Sequence, residues 1–175
     1  SRPIVASAPS RLACFPRSDS RPVCRPRTVT PSAVSQRIRL LEEKITELRK
    51  QQIIQGSVHL CVGQEALYVG ARGALTSEDR VFCTYRGHGW AMACGVPAEG
   101  ILAELLGRET GVCQGRGGSA MFSAADHGFY GENSIVGAGA PIACGAALSA
   151  RVKQEPRVVL TAFGDGAMNQ GGIHE

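Results

Sequence analysis

The sequence predicts an α/β protein in which helices flank a parallel sheet, and three observations predict it. Residues 158–163 form an apolar run with a single threonine, as expected for a strand buried on both faces of a parallel sheet. Residues 81–85 form a second short apolar strand. Segments with helical periodicity lie between and around these strands, and that alternation is typical of α/β folds.

The first 31 residues differ in composition from the rest of the chain. They contain six arginines, six prolines and five serines but only one acidic residue. Such a segment cannot bury enough apolar surface to order itself. We therefore interpret residues 1–31 as a disordered leader or a transit-like segment, and we expect the folded domain to occupy residues 32–175.

Four helices are predicted in chain order. The first spans 34–55, because apolar side chains recur at steps of three and four until Gly56 ends the pattern. Its apolar positions are Val34, Ile38, Leu41, Ile45 and Leu48. The others span 64–75, 97–106 and 141–153. The last is rich in alanine and contains Gly145, so we expect it to pack closely against a flat surface.

Two glycine-rich segments are predicted as loops. Residues 111–123 lack periodicity and are expected to be irregular. Asp165 follows the strand 158–163 and lies between Gly164 and Gly166. Ligands of open α/β sheets bind at the carboxyl ends of the strands, and an acid between two glycines suits a divalent cation that carries a diphosphate. A simple turn is the alternative for these three residues.

The composition excludes several classes of function. The net charge is +4, but residues 1–31 carry +5, so the remainder has 13 basic and 14 acidic residues. Residues 32–175 therefore lack the excess of basic residues that is typical of nucleic-acid-binding proteins. Seven cysteines without paired spacing argue against a disulfide framework or a zinc site. No apolar run approaches the length of a membrane span.

Three common nucleotide-binding or catalytic motifs are also missing from the sequence. The best dinucleotide-binding candidate, residues 137–142, has Ile142 where the third glycine should be. No glycine-rich run ends in Gly-Lys-Ser/Thr, and no serine occupies a G-x-S-x-G elbow. Nicotinamide, P-loop and serine-hydrolase sites are therefore not predicted.

Six segments, taken together, resemble one family. They are HLCVGQEA (59–66), TYRGHG (84–89), AELLGRETG (103–111), GRGGS (115–119), FYGENSIVGAGAPIACGAAL (129–148) and FGDGAMNQGGIHE (163–175). In this order they look like the alpha subunit of thiamine-diphosphate-dependent 2-oxo-acid dehydrogenases. The resemblance runs from about residue 37 to the end. It implies a thiamine-diphosphate-binding fold, of which this chain would hold a part truncated at its C-terminal side.

The resemblance implies roles for residues that match the family's motifs. Asp165 would bind Mg²⁺, and Gly166 and Ala167 would offer backbone donors to the diphosphate. The other metal ligands would follow residue 175. Tyr85 and Arg86 match a pair that positions the cofactor, where the guanidinium fork suits diphosphate oxygens.

Three further residues complete the implied site. His59 matches a histidine near the diphosphate and substrate and is the expected catalytic residue, while Ser134 and Val136 match the segment whose backbone holds the aminopyrimidine ring. Two departures stand out. Ser134 replaces a common glycine, and residues 118–122 lack the histidine that follows Gly-Gly-Ser in many members.

The implied activity is the decarboxylation of a 2-oxo acid, with pyruvate expected, and transfer of the acyl group to a lipoyl carrier. Acetoin and branched-chain 2-oxo acids are the alternative substrates, and an inactive fragment is the alternative without catalysis. The implied partners are a beta subunit, which would supply the activating glutamate in an α2β2 assembly, and a lipoyl-bearing acyltransferase. The expected location is the bacterial cytoplasm, or an organelle matrix if residues 1–31 are a transit peptide.

Overall fold

The computed structural model describes residues 30–175. Its helices and strands, in chain order, are α1 (Pro31–Lys50), α2 (Glu65–Gly73), β1 (Arg80–Thr84), α3 (His88–Ala93), α4 (Ala98–Leu105), β2 (Phe129–Asn133), α5 (Gly139–Val152), β3 (Val159–Ala162) and α6 (Gly171–His174). Two 3₁₀ turns occupy Ala125–His127 and Asp165–Asn169. The loop 111–123 is irregular, as predicted.

The three strands form one parallel sheet in the order β2-β1-β3. Thr84 of β1 pairs with Asn133 of β2, and Cys83 pairs with Ala162 of β3. Helix α5 packs against β3 and β1, while α1, α2 and α3 pack against one another. The predicted α/β architecture with a parallel sheet and flanking helices is confirmed.

The core lies where α1, α2 and α3 meet the central strand. Ile38 and Ile45 of α1 are completely buried, as the predicted apolar stripe requires. Tyr68 and Trp90 meet edge to face at 5.1 Å between ring centroids, so α2 and α3 lock together. Burial of each such large side chain contributes about 1.5–3 kcal/mol.

The boundaries of the first helix differ from the prediction at both ends. The helix begins at Pro31, where the Thr30 hydroxyl accepts a hydrogen bond from the Ala33 N–H. It ends at Lys50, and Gln52 adopts a positive φ of 59° that breaks the helix before Gly56. The interpretation of residues 1–29 lies outside the described part of the chain.

Within residues 30–175, the strand formed by residues 158–163 does not show the burial on both faces that its apolar run predicts. Strand β3 is only half-buried, and Val158 is 45% exposed. The central strand is β1, because it pairs with β2 on one side and β3 on the other. Within residues 30–175, β3 has only β1 as a strand neighbour.

The close packing predicted for α5 occurs at a different glycine. Gly145 is exposed, and a Cβ there would meet no atom within 4 Å. A Cβ at Gly139 would lie 3.1 Å from Thr161 Oγ1 and 3.9 Å from the Cys83 carbonyl carbon. The first turn of α5 therefore presses on β3 and β1. Strand β2 was not predicted because its residues 131–133 are Gly, Glu and Asn and form no apolar run, and α3 was not predicted because six residues are too few to show helical periodicity.

No helix of residues 30–175 has both the length and the apolar character that a membrane crossing needs.

Asp79 connects the starts of β1 and β3, which generates a prediction about stability. Its carboxylate accepts hydrogen bonds from the N–H groups of Thr76 (2.7 Å) and Val158 (2.6 Å), and the residue is 5% exposed. Asp79→Ala leaves both donors without their partner, so we expect a loss of about 2–4 kcal/mol in the free energy of unfolding. Denaturant titration followed by circular dichroism measures it.

The matched control is Asp126→Ala, which removes an exposed carboxylate and should change stability by less than about 0.5 kcal/mol. Equal unfolding midpoints for the two variants would show that Asp79 does not hold the two strands together.

Candidate cofactor site

The carboxyl ends of the three parallel strands meet at one edge of the sheet, and the predicted cofactor residues follow those ends. After β1 come Tyr85 and Arg86, and after β2 come Ser134 and Val136. After β3 comes the segment 165–167. Seven of the eight predicted site residues therefore share one edge, although up to 82 positions separate them in the sequence.

The Tyr85–Arg86 turn also brings the eighth residue, His59, to this edge. The His59 and Tyr85 rings lie 4.5 Å apart between centroids. Arg86 Nη1 donates to the Leu60 carbonyl oxygen at 2.7 Å, which ties the turn to the segment that carries His59. Arg86 is exposed and has a φ of 82°, a left-handed conformation that costs a non-glycine residue about 1 kcal/mol.

Asp165 begins a 3₁₀ turn and is exposed. A Cβ at Gly164 or Gly166 would meet no atom within 4 Å, so a ligand has free access to the backbone on both sides of the carboxylate. Ala167 is buried, and its N–H already donates to the Gly164 carbonyl at 3.0 Å, so a phosphate oxygen would have to share or replace that bond.

These features fit an oxygen ligand for a hard cation. Within residues 30–175, no group of three or more metal-ligating side chains occurs, so Asp165 would act as a single carboxylate ligand there. Mg²⁺ commonly binds one or two carboxylates and completes its shell with substrate phosphates and water. An exposed carboxylate between two open glycines suits that mode of binding.

The segment after β2 packs against the segment after β3. Ser134 is exposed and Val136 is 36% exposed, so the backbone around both is accessible to a ligand. Gly137 has a φ of 83°, and a Cβ there would collide with the Gln170 side chain. The positive φ favours glycine at this crossing, and any other residue would also displace the Gln170 side chain. The two post-strand segments therefore border a common space.

A buried chain of hydrogen bonds fixes the His59 segment. Glu42 accepts from the Cys61 N–H at 2.6 Å and contacts His88 Nδ1 at 2.7 Å. His88 Nε2 lies 2.9 Å from Ser119 Oγ, which accepts the His59 N–H at 3.0 Å. The order of serine, histidine and glutamate resembles a nucleophilic triad, but Glu42 and His88 are fully buried, and Ser119 is 6% exposed. Because these three side chains are shielded from solvent within residues 30–175, we interpret this series of hydrogen bonds as structural.

A second buried carboxylate shapes the glycine-rich loop. Glu104 accepts from the N–H groups of Cys113 (2.7 Å), Gly115 (2.9 Å), Gly117 (2.6 Å) and Gly118 (3.2 Å). Burial acts to raise the pKa of this carboxyl, but the four backbone donors together lower it below its ordinary value. The loop that carries Ser119 is therefore wrapped around an ionised side chain.

Comparison with known proteins decides the family. Residues 33–175 match the family described as Dehydrogenase E1 component. The chain belongs to the dehydrogenase E1 component family.

Three relatives illustrate the range of this E1 family. The alpha subunit of acetoin:2,6-dichlorophenolindophenol oxidoreductase from Bacillus subtilis (strain 168) is 46% identical over 138 residues, which cover 79% of this chain and 41% of the relative. The mitochondrial pyruvate dehydrogenase E1 component subunit alpha of Sminthopsis macroura is 43% identical over 142 residues, which cover 81% of this chain and 39% of the relative. The Rhizobium meliloti (strain 1021) pyruvate dehydrogenase E1 component subunit alpha is 46% identical over 139 residues (79% and 40%). The chain spans about two-fifths of the length of these relatives.

The E1 motifs did not reveal the buried carboxylates that support the site. A signal was nevertheless present for two of them. Glu42 lies four residues after Ile38 and three before Ile45, and Glu104 lies three after Ile101. Both therefore occupy the apolar faces of their helices, where an unpaired charge would be costly. A glutamate on such a face predicts a buried hydrogen-bonding partner.

One departure from the common E1 pattern has a structural consequence. The segment Ala120-Met121-Phe122 follows Gly-Gly-Ser, at the place where the family resemblance led us to expect a histidine. Met121 is 64% exposed, and Phe122 is completely buried with its ring 5.4 Å from Phe129 between centroids. The segment thus contributes an apolar anchor to the core here.

Glu104→Gln tests whether the Glu104 carboxylate holds the glycine-rich loop through its four hydrogen bonds. An amide nitrogen cannot accept a hydrogen bond, so some of the four N–H groups lose their partner, and we expect a loss of about 2–4 kcal/mol in the free energy of unfolding at neutral pH. The wild-type contribution is present above the unfolded pKa of about 4.3 and disappears as pH falls through the lower folded pKa. Unfolding titrations at neutral and acidic pH measure both effects.

The matched control is Glu109→Gln, which removes an exposed carboxylate just after the same helix. The stability difference between Glu104→Gln and wild type should shrink toward acidic pH. A difference that stays constant with pH would contradict the role of the ionised carboxylate.

Proposed function

We propose that this chain supplies part of the thiamine diphosphate site in the alpha subunit of an E1 component that decarboxylates a 2-oxo acid and passes the acyl group to a lipoyl carrier. Pyruvate is the expected substrate. The observation that carries the proposal is the common edge of three parallel strands, where Arg86, Ser134 and Asp165 follow β1, β2 and β3.

Thiamine diphosphate, when bound, supplies the nucleophilic carbon and the electron sink for decarboxylation. The residues of this chain bind and orient it. Asp165 would hold Mg²⁺, and the Arg86 guanidinium would bind diphosphate oxygens with its fork of N–H donors. The exposed backbone at Ser134 and Val136 would hold the aminopyrimidine ring.

Three other residues would complete the binding surface. The N–H groups of Gly166 and Ala167 would face the diphosphate, and Tyr85 would position the cofactor. His59 lies against the Tyr85 ring, and the family resemblance places it near the diphosphate and the substrate, so we assign it the role of proton donor or acceptor. Its backbone is fixed by Ser119, which limits the positions the imidazole can take.

The site is proposed to be composite. The activating glutamate, which the family resemblance places on a beta subunit, would come from that partner in an α2β2 assembly, and a lipoyl-bearing acyltransferase would accept the acyl group. Residues 32–175 would form part of the thiamine-diphosphate-binding domain, with residues 1–31 as leader or transit segment. The cytoplasm or an organelle matrix would be its location. Relatives named as mitochondrial and relatives from bacteria both occur.

Acetoin is the second candidate substrate, because a relative whose name contains acetoin is 46% identical to this chain. A decarboxylation and cleavage assay of the full-length protein, co-expressed with its beta subunit, distinguishes pyruvate, branched-chain 2-oxo acids and acetoin. Turnover of pyruvate alone supports the proposal, while turnover of acetoin alone supports the second candidate.

Asp165→Ala tests the metal assignment. Because the variant removes the carboxylate that would bind Mg²⁺, we expect Mg²⁺-dependent binding of thiamine diphosphate to fall at least about a hundredfold in the full-length α–β assembly. Isothermal titration calorimetry measures the affinity. Asp126→Ala is the control, since it removes an exposed carboxylate away from this edge. Unchanged affinity in Asp165→Ala would refute the assignment.

Arg86→Lys tests the diphosphate contact. Lysine keeps the positive charge but loses the planar fork and the anchor to the Leu60 carbonyl, so we expect about tenfold weaker cofactor binding with the fold intact. Arg37→Lys, at an exposed position on α1, is the control. Wild-type affinity in Arg86→Lys would mean that the guanidinium belongs only to a surface turn.

A further inference from the structure

Glu132 is a buried carboxyl at the edge of the site that none of the roles above explains. It is the fourth residue of β2 and is 8% exposed. Its Oε2 accepts the Gly87 N–H at 2.7 Å, while its Oε1 is buried without a hydrogen-bond partner within residues 30–175. In the same part of the chain Glu132 forms no ion pair.

The surroundings of Glu132 disfavour a negative charge. Burial, with a smaller contribution from the nearby Glu42 carboxyl, raises the pKa of Glu132 to about 8, against the lowering effect of hydrogen bonds with the Gly87 and Phe122 backbone. On β1, the thiol of Cys83 is buried close to the carboxyl. On α3, His88 is engaged by Glu42. The carboxyl is therefore mostly protonated at neutral pH.

The hydrogen bond from Gly87 acts on the turn that carries Tyr85 and Arg86. Gly87 precedes α3 directly and follows Arg86, whose φ is 82°. A Cβ on Gly87 would collide with the Glu132 carboxyl group, so the Gly87 backbone and this carboxyl are closely packed. A bond at this point opposes relaxation of the strained Arg86 conformation, because the peptide between Arg86 and Gly87 cannot rotate without breaking it.

We propose that Glu132 is a positioning residue for cofactor binding, which fixes the peptide between Arg86 and Gly87 and thereby holds Tyr85 and Arg86 in their binding geometry. This inference rests on the proposed function. The residue acts through the turn and touches no reacting atom.

The neutral carboxyl makes two substitutions informative. Glu132→Gln retains an oxygen that accepts the Gly87 N–H and carries no charge at any pH. Glu132→Ala removes the acceptor and leaves the Gly87 N–H without a partner. In the wild type, a rise of pH through about 8 places an unpaired negative charge in the buried site, which destabilises the folded turn. The glutamine variant lacks that effect.

The test uses the full-length α–β assembly as wild type, Glu132→Gln, Glu132→Ala and the exposed control Glu109→Gln. Amide hydrogen exchange of the peptide that contains Gly87 is measured in the cofactor-free protein. The affinity for thiamine diphosphate with Mg²⁺ is then measured by calorimetry at about pH 6.5 and about pH 9, on either side of the carboxyl's titration.

At the lower pH we expect Glu132→Ala to exchange faster at Gly87 and to bind about tenfold more weakly, while Glu132→Gln behaves as wild type. At the higher pH we expect the wild type to bind several-fold more weakly than Glu132→Gln. The ratio between these two proteins cancels any pH dependence of the cofactor itself. Glu109→Gln should match wild type throughout.

Wild-type exchange and affinity in Glu132→Ala overturn the inference while leaving the proposed function in place. If the wild type itself binds no cofactor, the proposed function fails and the inference fails with it. If Glu132→Ala does not assemble, wild type and Glu132→Gln still decide: the same ratio of affinities at both pH values overturns the inference, and a ratio that changes as expected supports it.

Discussion

Glu42 accepts a hydrogen bond from the Cys61 amide and contacts the His88 ring although none of its surface is exposed. Much of the site depends on this interaction, because it joins α1, the His59 segment and α3, and through Ser119 it reaches the glycine-rich loop. A buried carboxylate is costly unless its oxygens are satisfied, and satisfaction requires all these segments to be in place together. The contact therefore couples the helical layer to the edge that would hold the cofactor.

Other carboxylates in the fold also accept hydrogen bonds from the backbone N–H groups of loops. Asp79, Glu104 and Glu132 each accept backbone N–H groups of segments that have no strand or helix to bond with. Buried backbone N–H and C=O groups need hydrogen-bond partners, and those in the loops of a parallel sheet cannot find them in the sheet itself. Here, carboxylate side chains accept the hydrogen bonds of these loop N–H groups. The loops thereby gain fixed shapes without regular structure, which the proposed diphosphate site would need.

Prediction from the sequence succeeded where periodicity or a motif carried the information. The stripe of Ile38 and Ile45 identified α1, and the apolar runs identified β1 and β3. Prediction failed for β2, which has no apolar run, and for α3, which is too short to show helical periodicity. It also failed for the end of α1, because the left-handed conformation of Gln52 ends the helix before Gly56. For the site, motifs indicated the exposed residues Arg86, Ser134 and Asp165, and these follow three neighbouring strands. Their roles stay predictions.

The sequence by itself determined the fold class, the order of the main elements and the family, because each is encoded in local patterns or collinear motifs. Only the tertiary structure decided that β1 is the central strand of the sheet within residues 30–175, that Gly139 rather than Gly145 packs on this sheet, and that Glu132 accepts the Gly87 N–H. These facts depend on contacts between residues as many as 79 positions apart, as between Asp79 and Val158. Such contacts leave no periodic trace, since they arise from the packing of elements and not from any one of them.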